Sequence, residues 1–207
     1  MGKKKYLDEI ENFFKKSPVV DYGSIEKIVR NKKKVKQYVK LIVSNLLKQG
    51  KIKRLAKGYY TSRDEVSLAV FCFKPSYLGL QDALSAHNLW EQETIPVIIT
   101  TNKVRQGIRR ILNVNVLIRR IDKKYIFGFE YLRQGDIYLP YSDIEKTFID
   151  MIYFKQPLDE DIINNFREKI NKKKLEDYLK KYPKRFRDKV MSKFVKKRFK
   201  SNKNLGK

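Results

Sequence analysis

Apolar residues in the first sixty positions recur at helical spacing, broken twice. Tyr6, Leu7, Ile10, Phe13 and Phe14 share one face, and Ser17-Pro18 ends that helix. Val19 and Val20 suit a short extended stretch. Ser24 can cap a brief helix carrying Ile25, Ile28 and Val29, which Asn31 interrupts. A longer helix then runs to about Gln49, with Gly50 at the left-handed C-cap position. Lys51–Leu55 and Gly58–Thr61 read as two strands joined at Ala56-Lys57-Gly58. Helix, helix–turn–helix and hairpin in this order predict a winged helix-turn-helix over residues 1–62.

From 63 to 157 the spacing alternates between strand and helix. Ile95–Thr101 is a β-branched run, and Val114–Ile121 alternates apolar with polar or long side chains. Tyr125–Tyr131 and Ile137–Leu139 extend a meander. Leu80–Leu89 and Ser142–Phe154 have helical spacing, and Ser142 with Glu145 fits a capping box. These elements predict a small mixed or antiparallel sheet with helices. Residues 158–207 read as three helices: Asp159–Ile170, Lys172–Lys181 and one opening at Pro183 and running to about Phe199. The last carries a stripe of Phe186, Val190, Met191, Phe194 and Val195, and residues 201–207 are expected to fray. The expected fold class is α+β: an N-terminal winged helix-turn-helix, a small mixed α/β domain and a basic helical C-terminal extension.

Charge sharpens this division. The 207 residues hold 48 Lys+Arg against 23 Asp+Glu, a formal net charge of +25. Residues 1–60 hold 17 basic and 5 acidic side chains, residues 61–157 hold 13 and 11, and residues 158–207 hold 18 and 7. A nearly neutral middle thus separates two basic ends. A polyanion is the partner such ends favour, nucleic acid ahead of an anionic membrane surface. A Lys-rich proteome would raise Lys too, but it would add Glu alongside, and the ends lack that excess.

The long helix sorts its side chains by angle. At about 100° per residue, Val35, Tyr38, Val39, Ile42 and Leu46 fall on one side, with Lys33, Lys36, Gln37, Lys40 and Ser44 opposite. A solvated face would do for any amphipathic helix, but this one carries no acid. Lys32, Lys33 and Lys34 also oppose the helix dipole at its start, which phosphates would relieve. Lysines supply phosphate attraction and Gln37 can read adenine. Lys51, Lys53, Arg54 and Lys57 extend the surface as a wing. Lys184, Arg185, Arg187, Lys189, Lys193, Lys196, Lys197 and Arg198 around the last helix are candidates for second phosphate contacts.

Catalytic chemistry is thin. His87 lacks a cysteine or serine partner and reads as structural. Asp122-Lys123-Lys124 fits a metal-dependent nuclease only faintly, and Asp159-Glu160-Asp161 fits a helix start without metal. One Cys and one His exclude Cys/His zinc sites, and there is no Gly-x-Gly phosphate loop. The expectation is no catalytic residue, no metal and no cofactor. No apolar run spans a bilayer, so a cytoplasmic chain is expected.

Several segments together resemble one family. Lys48 to Tyr60 resembles a wing ending in a Gly-x-Tyr strand. Pro75 to Leu89 resembles a proline-x-tyrosine segment followed by an alanine-leucine-x-x-histidine helix. Thr94–Asn102 resembles the strand after it, and Tyr138–Tyr153 resembles a Pro…Glu-Lys…Asp helix. The chain in these respects is similar to the AbiEi antitoxins of type IV toxin–antitoxin systems over roughly residues 6–200. It departs at Gly79 and Gln81, where relatives often carry Ser and Glu, and at Asn88, where they carry Gly. The resemblance implies a transcriptional regulator that represses its own promoter at DNA repeats, as a monomer or weak dimer. It also implies antagonism of a nucleotidyltransferase-type toxin without a stable complex. The rival readings are a metal-dependent nuclease, in which Asp122 would act, and a non-specific nucleic-acid-binding protein.

Overall fold

Asp21 settles how the first helices begin. In the computed structural model, which describes residues 2–29, 34–92 and 94–195, α1 spans Gly2–Lys16 and a two-residue strand, β1, spans Val20–Asp21. The Asp21 carboxylate accepts from Ser24 N at 2.9 Å and from Ser24 Oγ at 2.6 Å, so Asp21 caps α2, Tyr22–Ile28. Ser24 is therefore the donor to the cap rather than the cap itself, because a carboxylate three residues upstream outcompetes its hydroxyl. Helix α3 covers Val35–Lys48, and Gly50 has φ +67 just past its end, as expected. The hairpin follows as β2, Lys53–Ala56, and β3, Tyr59–Thr61, with an irregularity in β2 around Leu55. β3 also pairs antiparallel with β1, giving the order β1-β3-β2. Ile10, Phe14, Ile25, Val29, Val39, Ile42, Val43 and Leu46 bury their side chains against Val20, Ile52 and Tyr60.

A second sheet carries the rest. Its strands are β4 (Ser76–Leu78), β5 (Val97–Thr100), β6 (Gly107–Ile111), β7 (Val114–Arg120), β8 (Phe129–Gln134) and β9 (Ile137–Ser142), in the order β6-β7-β5-β4-β9-β8. β7/β5 and β4/β9 are parallel and the other neighbours antiparallel, so the sheet is mixed. Period 2 divides it cleanly. Leu78, Ile98, Val116, Ile118, Leu139 and Tyr141 face a 3-10 segment, Val66–Phe73, which brings Leu68, Ala69, Val70 and Phe73. Leu55 of β2 inserts into this same core, so the first sheet is anchored on this face. The expected strand Tyr125–Tyr131 starts later, at Phe129, because 123–125 form a 3-10 turn. The helix expected over Leu80–Leu89 is α4, Gln81–Ala86, stopped by His87 and Asn88, the latter at φ +53.

Helices cover the other face. α5 (Ile144–Tyr153), α6 (Glu160–Lys169), α7 (Lys172–Leu179) and α8 (Lys184–Val195) enclose Tyr77, Val97 and Ile99 with Phe148, Ile152, Phe166, Leu175, Leu179 and Val190. Asp143, not Ser142, caps α5, accepting from Lys146 N at 2.8 Å; Ser142 is buried and hydrogen bonds Thr147 at 2.7 Å. Glu145 does not close a capping box. Its Oε1 accepts from Asn171 N at 2.8 Å and its Oε2 meets Lys174 Nζ at 2.8 Å, which ties α5 to α7. Residues on both sides of 157 share this core. The fold is a mixed α+β arrangement of two sheets, and no helix among the described residues is long and apolar enough to cross a membrane.

Candidate nucleic-acid interface

Burial along α3 follows the helical angle. Val39, Ile42, Val43 and Leu46 are buried, Val35 and Tyr38 half-buried, and Lys36, Gln37 and Lys40 exposed. Ser44 is half-buried, at the margin of the exposed strip. Leu41, 56% exposed, stands on the same outward side, an apolar neighbour to the lysines that the angular sorting left unassigned. Among the described residues neither Lys36 nor Lys40 forms an ion pair. The Tyr22 hydroxyl donates to the Lys36 carbonyl at 3.1 Å, pinning α2 to the first turn of α3.

The start of α3 is electrostatically open. Lys34 occupies the N-cap with φ 61, ψ 43, a left-handed conformation, and its side chain makes no capping bond. The first turn holds no acid. First-turn N–H groups left without a side-chain acceptor favour an anion, and lysines beside them strengthen that preference. Lys32 and Lys33 lie outside the described residues.

The hairpin divides into two pairs of cations. Lys51 Nζ meets Glu11 Oε1 at 2.7 Å, tying the hairpin base to α1, and Lys53 is paired with Asp64. These amines are spent on partners within the chain, although exposed pairs of this kind are worth only about 0–1 kcal/mol and part readily. Arg54 and Lys57 are exposed and form no ion pair among the described residues; the Arg54 guanidinium stands 5.9 Å from the Tyr60 ring centroid. The sequence could not distinguish the two pairs, since Glu11 and Asp64 approach only through the tertiary fold.

At the other end, α8 seats Phe186, Val190, Met191 and Phe194 on the helical core, while Val195 is exposed. Lys184, Arg185, Lys189 and Lys193 are exposed and Arg187 is half-buried; Lys196, Lys197 and Arg198, with 201–207, lie outside the described residues. Arg167 donates to the carbonyls of Phe194 and Lys193 at 2.8 and 3.2 Å, closing the end of α8. These cations stand across the six-stranded sheet from the face that anchors the hairpin.

His87 Nε2–H donates to the Ser142 carbonyl at 2.7 Å, joining α4 to the β9–α5 junction. Asp122 is exposed, and among the described residues no cluster of His, Cys, Asp or Glu could hold a metal ion. Asp159 caps α6, accepting from Ile162 N at 2.8 Å. Burial pushes the Cys72 thiol up to about 12, which leaves it inert as a nucleophile.

No protein-family model matches the chain, and no curated protein matches it. Among solved structures it is similar to the crystal structure of the RV2827C protein from Mycobacterium tuberculosis, with a TM-score of 0.54 and 10% identity over 92% of this chain and 78% of that one. At that identity the likeness shows the fold alone.

Proposed function

We propose that the N-terminal unit is a winged helix that binds duplex DNA, with α3 as the helix that enters the major groove and the β2–β3 hairpin as its wing. One observation carries the reading. The outward face of α3 presents Lys36, Gln37 and Lys40 with no acid anywhere in the helix, and its first turn is left open to an anion. Lys36, Lys40 and the helix start would grip phosphates, Gln37 would read a base edge, and Leu41 suits a thymine methyl. Arg54 and Lys57 would reach the backbone beside the groove. A transcriptional regulator is the role that fits a single groove-reading unit on a larger body. The AbiEi-type antitoxin role stays tied to the sequence resemblance alone, and we confine the proposal to the DNA contact.

Titrating a labelled duplex with the protein at a series of salt concentrations tests it. If roughly eight phosphates are neutralised, the log–log slope is about −7. Replacing Lys36, Gln37 and Lys40 together by Ala should weaken binding by about 100-fold or more. The fold should persist, because all three side chains face water. A triple variant that binds like the parent chain would remove α3 from the interface. Including magnesium or manganese in the same titration tests the nuclease rival, for which cleavage lost in Asp122→Ala is the required result.

A further inference from the structure

The near-zero charge of the middle block conceals a local imbalance. Between Thr94 and Ile121 there are six cations, Lys103, Arg105, Arg109, Arg110, Arg119 and Arg120, and no Asp or Glu. The block's carboxylates sit elsewhere, several of them committed to partners in the fold. Asp64 pairs with Lys53, Asp136 with Arg63, Asp150 with Lys146, and Asp143 and Glu145 with Lys174. Among the described residues none of the six cations forms an ion pair.

The topology brings this stretch to the wing. β6 is the edge strand of the six-stranded sheet, and it lies against β2 of the hairpin. The loop before β6 closes on the same side: Asn102 lines a crevice with Pro18, Val19, Tyr59, Phe71 and Lys74. Strand register then selects which cations look toward the N-terminal unit. Arg109 is opposite Val116 and stands 5.9 Å from the Phe73 ring, on the face of the 3-10 segment; Arg120, in step with Val116 and Ile118, shares that side. Arg110 and Arg119 point to the helical side. The loop is pinned rather than loose. Arg109 Nη2 donates to the Arg105 carbonyl at 2.8 Å, and Arg120 N donates to Gln106 Oε1 at 2.9 Å. Lys103, Arg105 and Arg120 are exposed.

We infer that the β5–β6 loop and the adjoining edge of β6–β7 form a second phosphate-binding surface, through Lys103, Arg105, Arg109 and Arg120, that continues the wing along the backbone of the same DNA duplex. The inference rests on the DNA-binding reading of α3. Charge complementarity selects the occupant: three guanidinium groups and an ammonium with no ion-pair partner among the described residues, one of them (Arg109) bonded to the Arg105 carbonyl, match a duplex backbone and contribute affinity without sequence preference. It also predicts that α8, on the far face of the sheet, takes no part in this contact.

The test uses a labelled random-sequence duplex of roughly 40 base pairs, long enough to reach past one groove-reading unit, and the full-length chain. In Lys103→Ala/Arg105→Ala/Arg120→Ala we expect affinity to fall about 10- to 100-fold and the salt slope to flatten by about 2 to 3. Far-ultraviolet circular dichroism and melting temperature should be unchanged. The charge-keeping Lys103→Arg/Arg105→Lys/Arg120→Lys should restore the slope. Lys184→Ala/Arg185→Ala/Lys189→Ala should bind like the parent chain. Parental binding by the Lys103/Arg105/Arg120 triple, while the α3 triple has lost it, overturns the second surface alone. So does an α8 triple that loses as much as the Lys103/Arg105/Arg120 triple. A parent chain with no salt-dependent binding to the duplex overturns the α3 reading itself.

Discussion

The Lys146 ammonium and the Asp150 carboxylate are both fully buried, one turn apart on α5, and pair directly with each other. The Tyr77 hydroxyl completes the set, donating to Asp150 Oδ2 at 2.7 Å and accepting from Lys146 Nζ at 2.8 Å. Burial drives the Lys146 pKa down and the Asp150 pKa up, and their mutual attraction opposes both shifts. Such a pair is held by its geometry, and removing one member leaves a stranded charge. Lys146→Met alone should therefore cost about 3–5 kcal/mol in urea unfolding, whereas Lys146→Met with Asp150→Leu should cost clearly less. A double variant worse than the single one would show the network to be worth more than its desolvation. Asp82 offers a second measurement. Half-buried, with Oδ2 accepting from Val97 N at 3.2 Å, it has its pKa pushed up to about 7 by burial. Between the ordinary carboxyl range and that value the folded chain keeps a proton that the unfolded chain releases, so stability falls as pH rises through this window. From about pH 5 to pH 8, the melting temperature of the parent chain should drop further than that of Asp82→Asn. Neither burial was visible in the sequence, where a Lys and an Asp four apart on a helix look like a surface pair.

Elements were legible where their period was long and their punctuation strong. α1, α3 and the three C-terminal helices follow the apolar spacing, and Gly50 stops α3 where expected. The caps shifted by competition: Asp21 and Asp143 displaced Ser24 and Ser142, because a carboxylate is the stronger acceptor at a helix start. β4 and β6 went unread for different reasons. Ser76–Leu78 is three residues between Pro75 and Gly79, too short for a period. In Gly107–Ile111 the apolar Ile108 and Ile111 flank an Arg109-Arg110 pair, which breaks the period-2 pattern. Gly128 shows how a single position can hold two elements together. Its φ is +66, and a Cβ there would meet Tyr178 Cε2 of α7 at 2.7 Å and Lys146 Cβ at 3.0 Å. Gly128→Ala should thus cost about 1–3 kcal/mol. It should also loosen the bond from the Tyr178 hydroxyl to Asp143 Oδ2, now 2.7 Å, and a thermal melt checks the cost.

At the scale of the whole molecule, the hydrophobic cores cut across the divisions that composition suggests. The boundaries expected at 62 and 157 follow the charge blocks. Leu55 of the hairpin nevertheless packs with Val70 and Ile118, and Phe148 of α5 packs with Phe166 of α6. The six-stranded sheet is the organiser: its one face takes the 3-10 segment and the hairpin, its other face takes α5 to α8. That arrangement separates the two basic ends, which the linear sequence treats as equivalent, and brings the β2–β3 hairpin instead beside an arginine-rich edge inside the neutral block.

The linear order of residues decided what depends on near neighbours. The apolar face of α3, its lack of acids, the stop at Gly50 and the helical character of the C-terminal third all follow from spacings of three or four residues, because a helix makes its own faces from local geometry. Which cations stay available for a partner was decided only by the fold. Lys51 and Lys53 find Glu11 and Asp64, Lys174 finds Asp143 and Glu145, and the six cations between Thr94 and Ile121 find no carboxylate among the described residues. Electrostatic pairing acts through space over a few ångströms, and the strand order that sets those distances is fixed by burying both faces of a mixed sheet.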